Sequence, residues 1–127
     1  MGEINIKIPD LESMKRIVVR LEKSRIITYK DGRKTNSNMN TFIPKDLKDY
    51  EGISGVYIIC NKENKVVYIG ATKNLFNRMK VHSFLRKNPN IKFIYFLKLE
   101  EEVKRYVYEI LYKYHYFGKV KPEYFGR

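Results

Sequence analysis

The stretch that decides the fold is Gly55–Gly70, GVYIICNKENKVVYIG. Two runs rich in β-branched and aromatic residues, Gly55–Cys60 and Lys65–Gly70, flank the polar tetrapeptide Asn61-Lys62-Glu63-Asn64. This is the signature of an antiparallel hairpin. With a loop of those four residues, Cys60 faces Lys65 and Tyr57 faces Tyr68. Directly opposed residues share one face of a sheet, so the two phenol rings are expected as neighbours. By itself such a pair also reads as ordinary core packing.

Working outward, Thr72 can cap a helix running from Lys73 to about Leu85. Its apolar stripe is Leu75, Phe76 and Met79, with Arg78 and His82 stacked four apart at the stripe's edge. Pro89-Asn90 breaks the chain, and IKFIYFLKL (Ile91–Leu99) reads as a third strand. Glu100–Glu102 place acids at the positive end of a last helix, which runs to about Phe117 and ends at Gly118. Val103, Val107, Ile110 and Tyr114 form the expected buried face of that helix. Glu109 falls off its centre, and alone it reads as an exposed pair with Lys113.

On the N-terminal side, Ile4–Ile8 alternate like a short strand. Asp10 can cap a helix over Leu11–Lys23, because Leu11, Met14, Ile17, Val18 and Leu21 recur at helical spacing. Arg25–Lys30 reads as a strand, Asp31-Gly32 as a turn, RKTNSNMNT as a loop and Pro44–Ser54 as irregular. The expected architecture is α+β: a small three-stranded antiparallel sheet flanked by helices, with residues 1–50 as a strand–helix extension and 51–127 as the main domain. The extension packs on the core, forms a homodimer interface or, through the basic residues Lys15, Arg16, Arg20 and Lys23, grips a polyanion such as DNA. Its apolar stripe favours the first two.

Composition narrows the function. The chain has 127 residues, with 26 Lys and Arg against 14 Asp and Glu, a formal charge of +12. That excess attracts polyanions. No run approaches a membrane span, and charges interrupt any signal-peptide core. An intracellular protein is expected. Cys60 is the one cysteine, which excludes an internal disulfide and a cysteine zinc cluster. Inside VYIIC it reads as a core thiol.

Order and spacing add what no single residue gives. Gly55-Val56-Tyr57 is followed by Tyr68-Ile69-Gly70, then Thr72-x-Asn74-Leu75-x-x-Arg78, His82, and Glu109 on a helix after a third strand. This pattern, over roughly residues 51–117, resembles the GIY-YIG nuclease family. Val56 stands where isoleucine is usual, and no asparagine follows Pro122-Glu123-Tyr124, where family members often close with Pro-x-Tyr-Asn. The resemblance implies an endonuclease that cuts DNA phosphodiester bonds with one divalent ion, Mg²⁺ or Mn²⁺. Glu109 would hold the ion, and Tyr57 would orient or activate the attacking water with help from His82. Arg78 would hold the phosphate, and Tyr68 would fix substrate or water. Lys73, Lys80, Arg86 and Lys113 are read as further nucleic-acid contacts. The alternative is a DNA-binding module that keeps the fold without cutting. A structural RNA-associated protein is suggested by charge alone.

Overall fold

The computed structural model describes residues 8–22, 25–37, 41–44, 47–81 and 90–118. The expected strand at 4–8 lies outside them except for Ile8. Seven strands and two α-helices are present among the described residues: β1 (Lys15–Glu22), β2 (Arg25–Thr28), β3 (Lys34–Ser37), β4 (Thr41–Pro44), β5 (Gly55–Asn61), β6 (Val66–Thr72), α1 (Leu75–Val81), β7 (Ile91–Lys98) and α2 (Glu102–Phe117). Short 3-10 turns cover Leu11–Ser13 and Leu47–Tyr50.

The expected hairpin forms, and β7 pairs antiparallel with β5 on its other side. The sheet is wider than the three expected strands, with five in the order β4-β1-β7-β5-β6. The extra width comes from the N-terminal segment. The helix expected over Leu11–Lys23 is replaced by one 3-10 turn, capped by Asp10, and the strand β1. The run Ile17-Val18-Val19 is β-branched and suits a pleated surface better than a helix. Ile17 and Val19 are each 4% exposed while Val18 between them is 56% exposed, the alternation of a strand. Part of the expected RKTNSN loop is β3, paired with β2, and β4 extends into the start of the segment read as irregular.

Each face of the sheet carries its own helix. Ile17, Val19, Tyr57, Ile59, Tyr68, Ile94 and Phe96 pack under Leu75, Phe76 and Met79 of α1. Met14, Val56, Ile58, Cys60, Ile69 and Tyr95 pack with Tyr112 of α2. The β2–β3 turn joins the first layer, where the Tyr29 and Phe76 rings lie 4.9 Å apart. Chain-distant segments are tied in the second, where the Tyr112 hydroxyl donates to the Pro9 carbonyl. Cys60 is a core thiol, as expected, and burial pushes its pKa up to about 11. No helix among the described residues is long and apolar enough to cross a membrane.

The strand assignment of residues 15–22 has a mutational signature. Ile17→Ala should cost about 2–4 kcal/mol in urea denaturation, and Val18→Ala within about 0.5 kcal/mol. Comparable losses at both positions would contradict the strand.

Candidate active site

The site begins in the turn between β6 and α1. Thr72 Oγ1 accepts from the Asn74 amide at 3.1 Å, and Asn74 Oδ1 accepts from the Asn77 amide at 3.3 Å and from Gly52 N at 3.1 Å. Asn74, rather than the expected Thr72, therefore caps α1. The Leu75 amide donates to the Ile53 carbonyl at 2.8 Å, which fastens the helix start to the entry of β5. With its first turn held there, α1 directs Arg78 at the tyrosines.

Tyr57 faces Gly70, and Tyr68 faces Ile59, rather than the two tyrosines facing each other. The hairpin loop is one residue wider than expected, giving Cys60 opposite Val66, and a bulge between Ile59 and Cys60 adds a second residue of slip. A slip of one residue would have sent the rings to opposite faces. A slip of two returns them to the same face, now as diagonal neighbours, with centroids 6.1 Å apart and planes 13° from parallel. Asn61 holds the loop, its Oδ1 accepting from the amides of Glu63 and Lys65 at 3.0 and 2.9 Å. Gly70 matters through what it lacks: a Cβ there would collide with the Tyr57 hydroxyl and ring. The Tyr57 side chain thus lies across Gly70 toward β6, the outermost strand on that side.

Arg78 Nε donates to the Tyr57 hydroxyl at 3.1 Å. Burial disfavours the Arg78 charge, but the phenol oxygens of Tyr57 and Tyr68 outweigh it and hold the guanidinium above its ordinary pKa. The side chain is only half-buried, so a phosphate can still reach it.

Glu109 approaches the same strand from the other face. The buried positions of α2 are Arg105, Glu109, Tyr112 and Lys113. This overturns the expected packing face: Val103 is 73% and Tyr114 67% exposed, whereas Glu109 is 1% and Lys113 0% exposed. The polar groups are matched inside. Lys113 Nζ donates to Glu109 Oε2 at 2.9 Å. Arg105 donates to the carbonyls of Leu99 and Glu100 at 3.1 and 2.7 Å. Burial draws the Lys113 ammonium down to about 8, while the Glu109 carboxylate across the contact favours its charge. Glu109 lines an open cavity of about 200 Å³ with Ala71, Thr72, Lys73, Glu102, Arg105 and Tyr106. Ala71 directly follows Gly70 on β6 and faces the opposite side of the sheet.

Of the residues singled out by sequence, Tyr57, Tyr68 and Arg78 are brought together. Glu109 is on the helix covering the opposite face, where it lines a cavity with Ala71 and Thr72 of β6. Lys73 is exposed and lines the Glu109 cavity. Lys113, read from sequence as a nucleic-acid contact, is instead fully buried against Glu109. Lys80 lies on α1, and His82 and Arg86 lie outside the described residues. Sequence reading missed Asn74 as the cap and Gly70 as the seat of Tyr57; the Thr-x-Asn-Leu run and the cross-strand glycine were their signals.

The family model for the GIY-YIG catalytic domain matches residues 53–124, more than half of the chain. The protein belongs to the GIY-YIG nuclease family. Comparisons with curated proteins and with solved structures gave no match. Nucleases of this family generally use divalent metals. Among the described residues no group of three or more His, Cys, Asp or Glu could hold an ion. The donor available at this edge is a hard carboxylate beside an open cavity, which fits an ion that takes one carboxylate and fills its remaining positions with water and substrate phosphate.

Two measurements test this arrangement. Gly70→Ala should destabilise the protein by about 1–3 kcal/mol through overpacking against Tyr57; an unchanged urea midpoint would contradict the close approach. Lys113→Met should cost about 3–5 kcal/mol by removing the ammonium partner of a buried carboxylate, with Glu109→Leu/Lys113→Met regaining most of it. A single-variant loss below about 1 kcal/mol would place the pair in solvent.

Proposed function

We propose that this protein is a metal-dependent DNA endonuclease. The observation that carries the reading is the hydrogen bond from Arg78 Nε to the Tyr57 hydroxyl, with Tyr68 stacked beside it, at the strand edge that Glu109 approaches from the other side. The net charge of +12 supports a polyanionic substrate.

Each group then has a task. Arg78 offers a planar, permanently charged donor to a phosphate oxygen and offsets charge that grows in the transition state. The Tyr57 hydroxyl, held by Arg78, orients the attacking water and takes part in removing its proton, aided by His82. Tyr68 supports the Tyr57 ring and offers its hydroxyl to the substrate or the water. Exposed Lys73 steers phosphate to the cavity. Glu109 would hold the divalent ion, Mg²⁺ or Mn²⁺, which when bound supplies Lewis-acid stabilisation of phosphate oxygens. Lys113 offsets the Glu109 charge from inside the protein and fixes one carboxylate oxygen.

That ion pair also favours a second reading. An ammonium 2.9 Å from the proposed metal ligand already neutralises it, as suits a DNA-binding module that keeps the fold and does not cut.

Supercoiled plasmid distinguishes the two. Under the endonuclease reading, the wild-type protein nicks or linearises it with magnesium and not with EDTA. Arg78→Ala and Glu109→Gln should each reduce the rate by roughly 10²-fold or more, with duplex affinity nearly unchanged. Glutamine is chosen at position 109 because it still accepts from Lys113. Binding without magnesium-dependent cleavage supports the second reading, and full activity of Glu109→Gln removes the proposed metal role.

A further inference from the structure

A second cleft lies on the α1 face of the sheet, toward the strand farther from the candidate site. It has a volume of about 310 Å³ and is lined by Lys15, Asp49, Tyr50, Ile53, Phe96 and Lys98. Tyr50 and Phe96 are buried and form an apolar floor with Ile53, while Lys15, Asp49 and Lys98 are exposed at the rim. Lys15 Nζ stands over the Tyr50 ring, 5.3 Å from its centroid. Lys98 lies 3.6 Å from Glu100, an exposed contact that leaves it open to other anions.

Three observations give this cleft a ligand class. First, its position: Tyr57 is paired across β5 and β7 with Phe96, and Phe96 across β7 and β1 with Lys15. Two strand spacings, roughly 10 Å, separate the Tyr57 and Lys15 backbones, a few nucleotides of one bound strand. Second, its origin: Lys15, Asp49 and Tyr50 precede the family match at 53–124, so the cleft exists because β1 and the 47–50 turn are added to the nuclease core. Third, its chemistry: two lysines flank an apolar floor, with one carboxylate at the rim beside Tyr50.

We infer that this cleft binds a nucleotide of the DNA strand flanking the cut, its phosphate between Lys15 and Lys98 and its sugar and base against Tyr50, Ile53 and Phe96. The inference rests on the DNA-directed reading of the site and gives the N-terminal strand a role in substrate binding. Asp49 repels phosphate on its side of the rim and sets which end of the nucleotide faces the lysines.

The test is fluorescence anisotropy with a short fluorescein-labelled duplex in EDTA, across a salt series from about 50 to 200 mM. Both lysines are exposed, so Lys15→Gln/Lys98→Gln leaves the core intact. The control, Lys62→Gln/Lys65→Gln, removes the same charge from exposed positions in the hairpin loop at the other end of the sheet. Loss of the one phosphate held between Lys15 and Lys98 lowers the salt slope by about 1. The wild-type advantage over the cleft variant then shrinks roughly three- to fourfold across the series, and the control changes much less. An unchanged slope in the cleft variant, or equal losses in both variants, overturns the inference while wild-type binding and cleavage leave the endonuclease reading standing. Wild-type protein that neither binds nor cuts DNA removes both.

Discussion

The candidate site depends on a missing methyl group. Tyr57 lies flat across Gly70, so closely that any side chain there would occupy the space of the phenol. That contact lets the Tyr57 ring reach over β6 while its hydroxyl meets Arg78 of α1. Arg78 is aimed at the ring by a helix whose first turn is fastened by Asn74 and by the Leu75–Ile53 hydrogen bond. The tyrosines share a face only because loop width and bulge combine to an even slip. The elements around this edge therefore meet at one point, and a one-residue change in the hairpin would separate them.

The opposite layer solves another problem. The Glu109 carboxylate beside the strand edge is held in the protein interior. An isolated buried charge is prohibitive, so α2 buries Glu109 with Lys113 and turns apolar Val103 and Tyr114 outward. Stability is given up on both counts: ion pairs contribute less than apolar packing, and apolar area is left in water. Such an arrangement suits a helix placed for the sake of its charges.

Much of this was legible in the sequence. The hairpin, β7, both helices and the family showed in local pattern and spacing, and the shared face of the tyrosines survived a wrong register because the error was two residues. Residues 11–23 misled because Met14, Ile17, Val18 and Leu21 satisfy a helical spacing, while the strand alternation is short and bounded by charges. The β-branched run at 17–19 was the better guide. The packing face of α2 was hidden more deeply. Glu109 and Lys113 have the spacing of a solvent-exposed pair, and sequence holds no mark of whether water or protein surrounds it. Pairing of β1 with β7 links residues far apart in the chain, which periodicity does not report.

The N-terminal segment widens the nuclease core on the side away from β6, so that the sheet carries the tyrosine–arginine cluster at one edge and a cleft rimmed by Lys15 and Lys98 toward the other. Whether Glu109 and the tyrosine–arginine pair serve a common centre is read most directly by Mn²⁺-induced broadening of backbone amide NMR signals. A shared centre predicts strong, selective loss at Gly70, Ala71, Thr72 and Glu109, together with broadening of the Arg78 Nε–H signal, all abolished by Glu109→Gln. Broadening that misses this edge, or that persists in Glu109→Gln, would contradict it.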